Sequence, residues 1–161
     1  MTGPTLTWAA HHRLIILEGC DGVGKSTLAR RIAHMHGHRI LHSGVSPEGT
    51  DLVIHYTHAI QALEHSVMDR SFISELVYGP LFRGHTRIST DDAINLCHQL
   101  VKRGGLLVHL TAPPHTIAAR LHNRDGTHPK TEHLQAIVHA YQAVFSTFAR
   151  AGIPVTTQET T

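Results

Sequence analysis

Cysteine is almost absent from this chain: only Cys20 and Cys97 occur in 161 residues. Two thiols cannot build the disulfide framework of a small secreted domain, so both are expected to be reduced in a cytoplasmic setting, host cytoplasm if the source is a virus. Long apolar runs are missing too, and with no stretch of eighteen apolar residues nothing is expected to span a membrane. Charge is sparse, with 16% Asp, Glu, Lys and Arg and a formal net charge of +2. That balance gives by itself no argument for nucleic acid. Aromatic residues make up only 5%. Met1 to His12 lack the basic start and apolar run of an export signal and read as a flexible tail.

What is present bounds the class. An apolar fraction of 41% excludes a disordered chain, and the length suits one domain, expected over residues 13–161. Eleven of the fourteen basic residues are arginine, whose fixed fork suits phosphate. Seventeen histidines are the compositional oddity. His55 and His58 would share a helix face, but no cysteine or carboxylate cluster joins them into a metal site. The histidines add positive charge below about pH 6.5.

Gly19-Cys20-Asp21-Gly22-Val23-Gly24-Lys25-Ser26 fits the phosphate-loop pattern G-x-x-x-x-G-K-[ST] at every fixed position. Its flanks fit as well. Leu14 to Leu17 read as a buried strand, and Ser26 to Ala33 as the start of a helix. The glycines let successive N–H groups converge, and the helix N-terminus adds its dipole. Lys25 then reaches the β- and γ-phosphates, and the Ser26 hydroxyl can ligate Mg²⁺.

Strand and helix alternate along the rest. Strands are expected at Arg13–Glu18, Arg39–His42, Ser66–Asp69, Leu106–Leu110 and Ile153–Thr157. Helices are expected from the loop to His36, over Asp51–Glu64 with Leu52, Tyr56, Ile60 and Leu63, and from Phe72 to Tyr78, where Gly79-Pro80 interrupts. Further helices start at Thr90-Asp91-Asp92, which reads as a cap, run from Pro114 to His122, and begin near Thr131. The last places Leu134, Ile137, Tyr141, Phe145 and Phe148 on one stripe. This order predicts an α/β fold: a parallel sheet of about five strands between helical layers, a three-layer sandwich of the P-loop NTPase type. Ligands in such sheets bind beyond the carboxyl ends of the strands, where Glu18, Asp69 and Thr111 fall.

Asp69 can hold Mg²⁺ through water or accept a proton; its other reading is a turn or helix cap. Arg70 can grip an acceptor phosphate, or pair with Glu75. Arg120 and Arg124, four apart, and Lys130 in the polar stretch Asn123–Lys130 suit a lid that closes over phosphates. Arg83 and Arg87 can form a second basic edge. Phe72, Tyr78 and Phe82 lie near the expected acceptor side, with Tyr78 the best candidate for a half-exposed contact.

Leu17 to Thr27, with the acidic residue inside the loop, resembles the phosphate loop of thymidylate kinases. Pro47-Glu48-Gly49-Thr50 is similar to their Pro-Gly-Gly-Thr segment, Asp69-Arg70-Ser71 to their Asp-Arg pair, and Leu110 to Arg124 to the stretch entering their lid. Tyr141 sits where their final helix often has a tyrosine. The resemblance implies ATP and Mg²⁺ as co-substrates, with Gly19, Asp21, Gly22, Val23, Gly24, Lys25, Ser26 and Thr27 around the donor phosphates. It further implies Asp21 near the acceptor sugar, Arg70 on the acceptor, and Arg120 and Arg124 in the lid.

The departures are specific. Val45-Ser46 stand where an arginine is expected, and Thr111 replaces the usual aspartate. Only eighteen residues separate Thr50 from Asp69, so helices that enclose the acceptor are cut short. An open acceptor side is similar to small virus-type kinases, including those that act on 5-hydroxymethyluracil within DNA. The expected partner is a pyrimidine acceptor, either a free nucleotide or borne on DNA. A P-loop ATPase or switch that acts through another protein is the expectation from a different class.

Overall fold

The computed structural model describes residues 6–44, 46–62 and 64–160. Met1 to Thr5 of the expected tail, Val45 and Leu63 lie outside them. Five strands form one parallel sheet: β1 (Leu14–Glu18), β2 (Arg39–His42), β3 (Ser66–Asp69), β4 (Leu106–Thr111) and β5 (Val155–Glu159), in the order β2-β3-β1-β4-β5. The helices are α1 (Lys25–His36), α2 (Leu52–Ala62), α3 (Ile73–Arg83), α4 (Thr90–Lys102), α5 (Pro114–Asp125) and α6 (Thr131–Arg150).

Sequence decides which strands are central. Leu14 to Glu18 and Leu106 to Leu110 are buried throughout, as strands covered on both faces must be, and only Glu18 and His109 in them are polar. The two edge strands carry polar residues and stay partly exposed. From β1 to β2 the chain moves one way across the sheet and afterwards the other way. Right-handed crossovers therefore put α1 on one face and the later helices on the opposite face. The contacts agree: α1 packs on β1, β2 and β3, α2 on α4, and both α3 and α5 on α6. The stripe expected on α6 is the buried one, Leu134, Ile137, Tyr141, Phe145 and Phe148.

Local chemistry departs from the sequence reading in five places. Leu6 to His12 are not a loose tail. Thr7–His11 form a 3₁₀ turn against α1, with Leu6 and Ala9 buried and the His12 carbonyl 2.8 Å from His38 Nε2. The third helix does not break at Gly79-Pro80 but runs to Arg83. Pro80 leaves the Leu76 carbonyl without its partner, yet a Cβ at Gly79 would meet the His85 carbonyl at 2.6 Å, so the returning loop packs onto the helix there. The cap of α4 is Ser89, whose side chain accepts from Asp92 N at 3.0 Å. Helix α5 continues past His122 to Asp125 and stops at Gly126, which is left-handed and donates to the His122 carbonyl. The last strand is shifted two residues toward the C-terminus.

Among the described residues no helix is long and apolar enough to cross a membrane, and no group of three or more His, Cys, Asp or Glu is placed to hold a metal ion. His109, on β4, is buried and stacks 4.2 Å from Phe145. Burial lowers its pKa from 6.5 to about 4. Between those values the unfolded chain binds a proton that the folded chain refuses, so stability is full above pH 6.5 and falls as pH drops toward 4. His109→Leu should reduce that acid loss by on the order of 2 kcal/mol, read from urea midpoints across the window. An acid dependence identical to the parent protein would contradict the assignment.

Candidate active site

The loop between β1 and α1 takes its shape from three glycines. Gly19, Gly22 and Gly24 have φ of 156°, 81° and 107°, a region closed to most side chains. A Cβ at Gly19 would also sit 2.5 Å from the Leu110 carbonyl of β4, and one at Gly22 would sit 2.9 Å from Leu121 of α5. The loop is thus seated on the sheet and braced by α5. Gly19→Ala should cost at least about 2 kcal/mol, from strain plus the backbone clash. Thermal denaturation checks this; an unchanged midpoint would show that the loop is not seated so tightly.

Lys25 opens α1 and is buried. Its ammonium folds back to donate to the carbonyls of Gly19 at 2.6 Å and Cys20 at 3.0 Å. Burial pushes its pKa below the ordinary lysine range, while Glu18 and Asp69 pull it up. Ser26 Oγ donates to Asp69 Oδ2 at 2.6 Å. A hydroxyl and a carboxylate joined in this way are hard oxygen donors and fit a hydrated Mg²⁺ beside a phosphate chain. Asp69 also lies 3.3 Å from His42 Nδ1 and does not cap α3, whose first amides donate instead to Ser71 Oγ (Ile73 N, 3.2 Å) and to Glu18 Oε1 (Ser74 N, 3.1 Å). Val23 is buried beneath the loop, and Thr27 is exposed on α1.

Arg120 lies over the loop, donating to the carbonyl of Val23 at 3.0 Å and to Thr160 Oγ1 at 2.9 Å. Arg124 pairs with Asp125. Both arginines stand on α5, Arg120 within the helix expected for it and Arg124 in the turn by which α5 runs past His122, while Lys130 precedes α6. Together with Gly22, Gly24, Lys25, Ser26, Thr27 and Asp69 the two arginines line a cleft of about 820 Å³.

A second pocket, of about 290 Å³, lies beside it. Tyr56, Phe72 and Tyr78 give it aromatic walls, and Arg70, Arg83, Arg87 and Glu75 give it charge. Arg70 pairs with Asp21 and not with Glu75, and its guanidinium lies 5.9 Å from the Tyr78 ring centre. Glu75 takes Arg83 and Arg87 instead; burial works to raise its pKa, but these two arginines hold it below the usual carboxylate range. Arg87 also donates to the carbonyls of Ser46 and Pro47 and so ties down the loop after β2. Phe82 is outside the pocket, exposed and stacked between Tyr78 and His133. Asp21 and Arg70 are the residues common to both cavities.

Glu18 was not singled out from the sequence as a site residue. It is completely buried, and its Oε1 accepts from Ser71 N at 2.7 Å, Ser71 Oγ at 2.9 Å and Ser74 N at 3.1 Å. Its Oε2 accepts from Ser74 Oγ at 2.9 Å and Tyr141 Oη at 3.2 Å. Burial raises its pKa, opposed by the Lys25 charge and by these donors. A glutamate at the end of an otherwise apolar strand is the only signal that marked it.

No family model matches the chain, and no curated protein sequence matches it. Solved structures do. A YorR protein from Bacillus subtilis, in complex with phosphorylated GDP, is 25% identical over 91% of this chain and 85% of its own, with a TM-score of 0.78. A deoxyadenosine kinase from M. mycoides with bound dATP is 15% identical over 91% of this chain and 90% of its own, with a TM-score of 0.53. A gluconokinase from Sinorhizobium meliloti 1021 is 16% identical over 93% and 83%, with a TM-score of 0.56. This is the P-loop NTPase fold. The expected architecture, a parallel five-stranded sheet with helices on both faces, is therefore the observed one.

Proposed function

We propose that the chain is an ATP-dependent phosphotransferase that moves the γ-phosphate to a nucleotide-type acceptor. The observation that carries this reading is the shared wall: a cleft built by the phosphate loop and an aromatic, arginine-edged pocket meet at Asp21 and Arg70. A protein that only hydrolyses a triphosphate has no need of the second cavity. The neighbours with this fold include two kinases, one with a bound deoxynucleoside triphosphate, which supports the same chemistry.

The chain's own residues supply position and charge, which is most of what phosphoryl transfer requires. Loop N–H groups hold the donor phosphates, and Lys25 leaves the Gly19 and Cys20 carbonyls to reach them. Ser26 and Asp69 would hold Mg²⁺, which when bound neutralises phosphate charge. The bond from phosphorus to the leaving β-phosphate oxygen breaks as the bond to the acceptor oxygen forms. Arg70, on the shared wall, meets the charge on the transferring group, and Arg120 and Arg124 close over the donor from α5. When the acceptor oxygen belongs to a hydroxyl, Asp21 is the carboxylate on that wall to take its proton; a phosphate acceptor needs no proton removed.

Within this class the acceptor is a pyrimidine nucleotide, as the likeness at Asp21 and Asp69-Arg70-Ser71 implies. A hydroxymethyl pyrimidine within DNA is the second acceptor, favoured by the single short helix α2 between β2 and β3, which leaves the pocket less enclosed. Incubation with γ-labelled ATP, each deoxynucleoside monophosphate and hydroxymethyluracil DNA separates them. Label on a pyrimidine acceptor is expected. Label on none, with ATP merely hydrolysed, would move the protein to the ATPase class.

A further inference from the structure

Arg70 is one of two non-glycine residues among those described with positive φ, at 76°. A long side chain gains nothing locally from that conformation. The backbone on each side of it is fastened to the end of β1. Arg70 N donates to the Leu17 carbonyl at 3.1 Å, and the next amide, Ser71 N, donates to Glu18 Oε1 at 2.7 Å. Glu18 also takes the Ser74 amide, so a carboxylate from the central strand caps the first turn of α3 at a residue 56 positions away in sequence. Its other oxygen reaches Ser74 Oγ and Tyr141 Oη, which joins α6 to the same point.

We infer that Glu18 is a positioning residue: by capping α3 it keeps Arg70 in its left-handed backbone conformation and aims the guanidinium at the wall between the two cavities. Glu18 does not line either cavity. It acts through Arg70, and a buried carboxylate with five donors has the rigidity to do so. The kinetic consequence rests on the kinase reading above, while the conformational consequence does not.

Glu18→Gln keeps an oxygen for the Ser71 and Ser74 amides and turns its NH₂ toward two hydroxyls that can accept. Glu18→Ala leaves the amides without a cap. In Glu18→Ala, a crystal structure or backbone chemical shifts should show Arg70 out of the left-handed region and parted from Asp21, with Gly22 to Ser26 unmoved. With dTMP as the acceptor probe, KM for dTMP should rise about tenfold while KM for MgATP changes less than about twofold. Glu18→Gln should restore most of both properties. In an Arg70→Ala background, removing Glu18 should change the dTMP KM little, as coupled residues require. If Glu18→Ala folds poorly, Ser74→Ala keeps the capping amide but removes the hydroxyl that holds Glu18 Oε2, and so loosens the carboxylate, with a smaller shift in the same direction. Arg70 remaining left-handed and paired in Glu18→Ala would overturn the inference, and so would equal losses for dTMP and MgATP. A parent protein that binds MgATP but transfers nothing would count against the kinase reading alone, because the Arg70 conformation still decides the role of Glu18.

Discussion

Under the proposed function, Lys25→Met is expected to lower phosphoryl transfer by on the order of a hundred- to a thousandfold and to leave the fold in place. The ammonium is seated inside the loop, 2.6 Å and 3.0 Å from the loop's own carbonyls. It is within reach of a phosphate chain without any movement of the backbone. Because burial already pushes its pKa down, the charge sits where water screens it little, and its effect on a developing phosphate charge is large. Methionine keeps an apolar stem in the same packing, so the loss is one of charge and not of volume. Kinetics at saturating acceptor, with circular dichroism alongside, separate the two. A variant that transfers at the parent rate would place the donor phosphates somewhere else.

Asp69→Asn is expected to have the second large effect, read in the metal requirement. The carboxylate and Ser26 Oγ are 2.6 Å apart at the carboxyl end of β3, and β1 and β3 are in register from Leu14–Ser66 to Leu17–Asp69. That register fixes the pair to the sheet. Asparagine can still accept from Ser26 but carries no charge, so the concentration of Mg²⁺ needed for half-maximal rate should rise about 10- to 100-fold. Binding of ATP measured without Mg²⁺ should change little. Weakening of metal-free ATP to the same degree would show that Asp69 supports the loop and not the ion.

The part of the site that local chemistry encodes was legible in the sequence. The phosphate loop needs its glycines, lysine and serine at fixed spacing, and Asp69-Arg70 follow a strand whose end could be read from Ser66 to Met68. The central strands β1 and β4 were legible because burial on both faces leaves them largely apolar, Leu14 to Leu17 and Leu106 to Val108. Contacts across the chain were not. Glu18 meets its partners 53, 56 and 123 residues away, so only the fold shows that it is a cap and not a stray acid. Pro80 was read as a break because a helix normally ends there, but packing of the His85 segment against Gly79 overrides that local rule. The same tertiary override orders Leu6 to His12, where Leu6 and Ala9 find a core that composition did not reveal. The pairing of Glu75 with Arg83 and Arg87 leaves Arg70 to Asp21, a partition that the four charges in one stretch of chain left open.

The most direct test is a titration of isotopically labelled protein with MgATP, followed amide by amide. Saturable one-to-one binding is expected, with the largest shifts at Gly22, Gly24, Lys25 and Ser26 and a second, separate set at Arg70 and Tyr78 when an acceptor is added. Binding that never saturates, or shifts confined to other parts of the chain, would contradict the account at its root.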